Sequence, residues 1–138
     1  MGRSYRQFDA NRFEKMMSPE LRPKFGVGST VYTAEILVPT AEVSEDQTHR
    51  VATRRELREI THLLCQAFGG VTRSHPKRGL WISTKRPFKI GRNTHAVFEI
   101  VAAPTDRSLE FLRILKRELE RHLGEDVIFM RLSSVTML

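Results

Sequence analysis

TRRELREITHLLCQAFGGVT, residues 53–72, decides how the rest of the chain is read. Thr53 followed three residues later by Glu56 is a capping box. The threonine hydroxyl accepts from the Glu56 amide, and the glutamate reaches back to the Thr53 amide. Leu57, Ile60, Leu63, Leu64, Ala67 and Phe68 then recur at helical spacing. That stripe predicts one amphipathic helix over roughly 54–68. Cys65 falls inside the pattern and is expected to be a buried, inert thiol. Gly69-Gly70 closes the helix, because glycine accepts the left-handed conformation of a helix C-cap.

Outward from this helix the pattern changes to alternation. Upstream, Val31 to Val38 alternates and is rich in β-formers, so it reads as a strand that Pro39 ends; a polar loop over 40–52 follows. Downstream, Val71-Thr72-Arg73 starts a second strand, Pro76 and Gly79 interrupt it, and Leu80 to Ser83 finishes it. Lys85 to Asn93 reads as a hairpin loop with Gly91 at the turn. Thr94 to Ala102 is the clearest strand, with Ala96, Phe98 and Ile100 alternating against His95, Val97, Glu99 and Val101. Pro104 ends it and Asp106 is the expected N-cap of a second helix, 107–123, marked by Leu109, Leu112, Leu115, Leu119 and Leu123 and closed by Gly124. Asp126 to Leu132 reads as the last strand, and 133–138 as a tail or edge extension.

The order strand, helix, strand, strand, helix, strand predicts an α+β domain of the ferredoxin-like βαββαβ plan: a four-stranded antiparallel sheet with two helices on one face. In that plan the first strand is central, beside the third and fourth. Residues 30–138 form this domain. Residues 1–29 read as a basic N-terminal extension with a short helix around 9–17, either a tail packed on the domain edge or an arm that wraps a partner.

The chain resembles a family of small, mostly uncharacterised prokaryotic and phage-type proteins. Its marks are Phe68-Gly69-Gly70-Val71-Thr72, then Gly79-Leu80-Trp81, then a helix leading into the apolar strand Glu125-Asp126-Val127-Ile128-Phe129-Met130. The resemblance covers about residues 31–132. It implies the ferredoxin-like fold and its strand order, and transfers no activity and no catalytic residue. The N-terminal extension and the basic segment around Trp81 depart from the family pattern.

Charge narrows the partner. The chain has a formal net charge of +7, and residues 73–92 alone hold Arg73, Lys77, Arg78, Lys85, Arg86, Lys89 and Arg92 with no acid. Seven cations without a local counter-charge create a field that attracts phosphates. Trp81 and Phe88 are interleaved with them and offer rings on which a base can stack. The leading expectation is non-catalytic binding of nucleic acid or a nucleotide-like polyanion through this basic hairpin.

Two other readings stay open. On the sheet face away from the helices, alternation gathers Glu35, Glu99, His95 and Arg131. Two carboxylates and a histidine suit a metal-dependent nuclease or phosphodiesterase, whereas Arg131 neutralising a glutamate suits an ion-paired surface. The third reading is a protein-interaction module, an inhibitor or assembly subunit, whose hairpin meets an acidic protein partner.

The same face carries Val31, Leu37, Val97 and Val101, an apolar strip that suits homodimerisation through the sheet or its edge strands. His62 and Cys65 share a helix face, but two ligands do not make a metal site. No nucleophile-elbow, P-loop, zinc-protease or dinucleotide motif is present, and no cofactor is expected. The N-terminus Met1-Gly2-Arg3-Ser4-Tyr5-Arg6 lacks the apolar run of a secretory signal, and no stretch is long and apolar enough to span a bilayer. A cytoplasmic protein with no membrane partner is expected.

Overall fold

The structure is a computed structural model. It places the backbone of residues 8–43, 51–82, 90–123 and 128–138, and describes their side chains except at 41–43, 75–82 and 90–93. Helix α1 (Arg54–Phe68) begins at Thr53, whose hydroxyl accepts from the Glu56 amide at 3.1 Å while Glu56 Oε1 accepts from the Thr53 amide at 3.0 Å. It ends at Gly69, whose φ of 87° is left-handed and whose amide donates to the Cys65 carbonyl at 2.8 Å. The six apolar residues of the stripe are buried, but Cys65 is exposed, contrary to the buried thiol expected. At about 100° per residue, Cys65 sits roughly 120° from the centre of the stripe, beyond its edge.

Strand β1 (Thr30–Val43) runs through Pro39 instead of ending there. The Pro39 carbonyl accepts from the Ala52 amide at 2.8 Å, so this residue's backbone polar side faces away from the neighbouring strand β3 (Ile90–Ala102). No β3 ladder bond is lost, and proline is tolerated. The register shifts between Pro39 and Ala41, and the Thr40 hydroxyl donates to the Thr94 carbonyl at 3.0 Å. Strand β2 (Thr72–Ile82) is likewise continuous and takes Pro76 at a bulge between Ser74 and Lys77. Gly91, expected at the hairpin turn, pairs with Trp81 inside β3. The connection itself, 83–89, lies outside the described residues, as do the polar loop at 44–50 and the expected cap Gly124.

Helix α2 (Asp106–Leu123) is capped by Thr105, not Asp106: Thr105 Oγ1 accepts from the Ser108 amide at 3.3 Å. Strand β4 (Met130–Thr136) lies four residues later than the sequence pattern places it, because Thr30 to Ile36 of β1 pairs with 136 back to 130. The sheet order is β2-β3-β1-β4, antiparallel throughout, with β1 between β3 and β4. Ala34, Ile36, Val38, Ala96, Phe98, Ile100 and Ala102 share one core with the apolar faces of α1 and α2, so both helices cover the same side of the sheet. Among the described residues no helix is long and apolar enough to cross a membrane.

Residues 8–21 belong to that core. A 3-10 helix over Ala10–Met16 and a second over Pro19–Leu21 place Phe8, Phe13 and Leu21 inside it. Phe13 lies 5.2 Å from the ring of Phe111, which lies 5.2 Å from that of Phe68. The Leu21 carbonyl accepts from Ala103 at 3.0 Å, and Arg22 Nη2 donates to the Gln66 carbonyl at 3.2 Å near the end of α1. The segment thus packs against the domain, with Phe8, Phe13 and Leu21 as part of its core.

Candidate anion-binding hairpin and the open sheet face

Antiparallel pairing of β2 with β3 converts a basic run in sequence into a basic ladder. Lys77 stands opposite His95, Arg78 opposite Thr94, Leu80 opposite Arg92 and Trp81 opposite Gly91. Arg92 is two pair positions from Arg78, which separates their Cα atoms by roughly 8 Å. That is close to the spacing of successive phosphates along a nucleic-acid strand. Lys85, Arg86, Phe88 and Lys89 belong to the connection and lie outside the described residues. From Gly69 to Phe98 the chain holds no acid at all, so this ladder has no carboxylate of its own to neutralise it.

Arg73 is engaged within the chain. It pairs with Phe98 near the start of β2, roughly 25 Å along the strand from Trp81. Its guanidinium carbon lies 5.3 Å from the centroid of the buried Phe98 ring. There it shields the edge of the core through a cation–π contact, worth about 0.5–1 kcal/mol at an exposed site. The bulge at Ser74/Lys77 also advances the alternation of β2 by one residue. The positions on either side of His75 and Pro76 therefore cannot be assigned to faces by counting.

On the sheet face away from the helices, Glu35 pairs with Glu99 across β1 and β3 and with Arg131 across β1 and β4. Arg131 Nη2 is 3.8 Å from Glu35 Oε2, and the Ser74 hydroxyl donates to Glu99 Oε1 at 3.4 Å. Thr33, Ala34 and Ser133 complete a hollow of about 250 Å³ around these charges. His95 is not part of it. It stands opposite Pro39, four residues along β3 from Glu99, a displacement of roughly 13 Å. Burial lowers the His95 pKa below its ordinary value of 6.5. The face therefore joins two of the three residues that acid–base or metal chemistry would need, and gives one carboxylate an arginine partner. Among the described residues no group of three histidine, cysteine or acidic side chains is arranged to hold a metal ion.

Of the apolar strip on this face, Val31 and Val97 are buried, while Leu37 and Val101 are partly exposed.

Two arrangements escape the sequence patterns. Arg22, Pro23, Phe25, Gly69, Thr72 and Glu99 help line an open hollow of about 470 Å³ beside the end of α1. It joins residues 22–25 to the sheet, a contact between distant parts of the chain that no local pattern announces. The second is a buried pair between Glu56 Oε2 and His122 Nε2. It links the first turn of α1 to the last turn of α2. The only trace of it in the sequence is His122 standing three residues after Leu119 on the apolar face of α2.

No protein-family model matches the chain, and no curated protein matches it in sequence. The functional reading therefore rests on the residues and their geometry.

Proposed function

We propose that this chain binds nucleic acid or a nucleotide-like polyanion, without catalysis, through the β2–β3 hairpin. The observation that carries the proposal is the ladder itself: Lys77, Arg78 and Arg92 on paired strands lead into a connection holding Lys85, Arg86 and Lys89, in a run of sequence without acids to which β1 adds one carboxylate, Glu42 opposite Asn93. Phosphate contacts supply affinity, and Trp81 or Phe88 supplies stacking. Arg73 has a smaller part, because its guanidinium is engaged with Phe98.

The framework is read as ferredoxin-like: the order β2-β3-β1-β4, with both helices on one core, supports that plan. Kinship with the small prokaryotic and phage-type proteins, a cytoplasmic location and a homo-oligomeric state belong to the same proposal. The rival hydrolase reading is weaker, since His95 stands away from Glu35 and Glu99 and Arg131 faces Glu35.

The test is binding to labelled single- and double-stranded DNA and RNA across a salt series, beside a Lys85/Arg86/Lys89→Ala variant. Each phosphate contact removed should lower the steepness of log K against log[salt] by about 0.7–0.9, so the variant should lose roughly 2–3. Absence of binding at about 50 mM salt, where non-specific attraction is strong, overturns the proposal. Binding to an acidic protein that persists at high salt would move the assignment to the protein-interaction reading.

A further inference from the structure

The two edges of the sheet are built differently. At the β2 edge the chain places Pro76, a bulge, and Arg73, Lys77 and Arg78. These are the devices that keep an edge strand from pairing with another chain. The β4 edge lacks the proline and the bulge. Its sequence, MRLSSVT, contains one charge, no proline and no glycine, and its pairing with β1 is regular from end to end. It is exposed along nearly its whole length, including Leu132 and Ser134 on the side where the helices lie, so α1 and α2 stop short of it. Six large apolar residues are exposed among those described, and four of them, Phe129, Leu132, Val135 and Leu138, lie on or beside this strand.

The hydrogen-bonding direction of the edge follows from its partner. The Phe129 carbonyl accepts from Leu37 of β1, and the Met137 amide donates to Ser29 just before β1. Odd-numbered residues of this segment thus turn their backbone groups toward β1. Alternation turns those of Met130, Leu132, Ser134 and Thr136 outward, toward the edge that no described strand pairs with.

We infer that β4 pairs antiparallel with β4 of a second copy of this chain, about a two-fold axis at Ser133. In that register Met130 meets Thr136 of the other copy and Leu132 meets Ser134. Every outward-facing residue then meets an outward-facing residue, giving four pairs and about eight backbone hydrogen bonds. Arg131 stands opposite Val135, never opposite itself, so no like charges meet. Leu132 lies diagonal to its own symmetry mate on the helix side, and Val135 lies diagonal to Phe129 on the other side, both within side-chain reach. The edge is thus complementary to itself in hydrogen bonding, in charge and in apolar contact, and this self-complementarity selects a second copy as the occupant.

The resulting sheet has the order β2-β3-β1-β4-β4-β1-β3-β2, with the two basic hairpins at opposite edges and opposite ends. The hairpins do not merge into one site, so each copy's anion binding is independent of the pairing. The experiment is sedimentation equilibrium or light scattering of the full chain at about 100 μM, a concentration at which an interface of even 10 μM affinity is mostly formed. The expected mass is twice the chain mass of 16.0 kDa. Ser134→Pro, which removes an outward amide and no β1 bond, and Val135→Lys, which sets a lysine against Arg131, should each give the single-chain mass with unchanged far-UV circular dichroism. With Cys65→Ser in the background, Ser133→Cys should cross-link two copies under mild oxidation, since the Cα atoms at a non-hydrogen-bonded pair lie about 4.5 Å apart, within disulfide range.

A 16.0 kDa mass at all concentrations overturns the inference and leaves the edge for a strand from another protein. A dimer that survives both folded variants, or that fails to cross-link through position 133, overturns it as well. Absence of nucleic-acid binding by the native chain at about 50 mM salt would leave this outcome untouched, so the binding reading and the pairing of β4 fail separately.

Discussion

Replacing Phe13 with alanine should destabilise the fold by about 3–5 kcal/mol, the range for a large aromatic truncated inside a core. The magnitude follows from the surroundings of the ring. Phe13 is 1% exposed, so burying it contributes roughly 2–3 kcal/mol of transfer free energy. It stands 5.2 Å from Phe111 and 6.2 Å from Phe8, and each such ring pair adds about 0.5–1.5 kcal/mol. Neighbours that belong to two helices cannot all collapse into the space left behind.

The assay is urea unfolding followed by circular dichroism. At a slope of about 1–3 kcal/mol per molar urea, the midpoint should fall by roughly 2 M. Arg12→Ala is the control from the same segment. Its bridge to Glu118, 3.2 Å long but partly exposed, is worth under about 1 kcal/mol. A Phe13→Ala cost below about 1 kcal/mol, equal to that of the control, would refute the reasoning. Residues 8–21 would then be an appendage, as the sequence pattern first suggests.

Two further outcomes are expected. His122→Leu should cost about 3–5 kcal/mol, because it strips a buried carboxylate of its imidazole partner, while Glu56→Leu with His122→Leu should recover part of that loss; a double-mutant cycle in urea that shows no coupling counts against the pair. His95 has its native pKa lowered by burial from 6.5, so between that value and the lower native one the unfolded chain binds more protons. Stability is therefore full above about pH 6.5 and falls as pH drops through this window. His95→Gln should flatten stability between about pH 7.5 and 5, and an unchanged slope in the variant would show that burial of His95 is not the cause.

The limits of α1 were legible in the sequence because capping chemistry is local. Thr53, Glu56 and Gly69 act on backbone groups within four residues of themselves, whatever the rest of the chain does. The same holds for the core alternation of Ala96, Phe98 and Ile100 and for the α+β class that follows from the element order. The ends of the strands were not legible, because a strand ends where its partner ends. Pro39 looked like a stop, yet it costs nothing on a side without a ladder; β4 looked like 126–132, yet β1 pairs with 130–136. The candidate hairpin was visible as charge, but the engagement of Arg73 depends on a ring brought from β3.

By itself, then, the sequence determined what depends on neighbours along the chain: caps, the apolar stripe of α1, the strand–helix order and the acid-free basic block. The tertiary structure alone decided which surfaces meet. It put Phe8, Phe13 and Leu21 into the core, exposed Cys65, buried Val97 on the face expected to be open, joined Glu56 to His122, and set His95 apart from Glu35 and Glu99. Burial is a property of two surfaces in contact, and a single stretch of sequence carries only one of them.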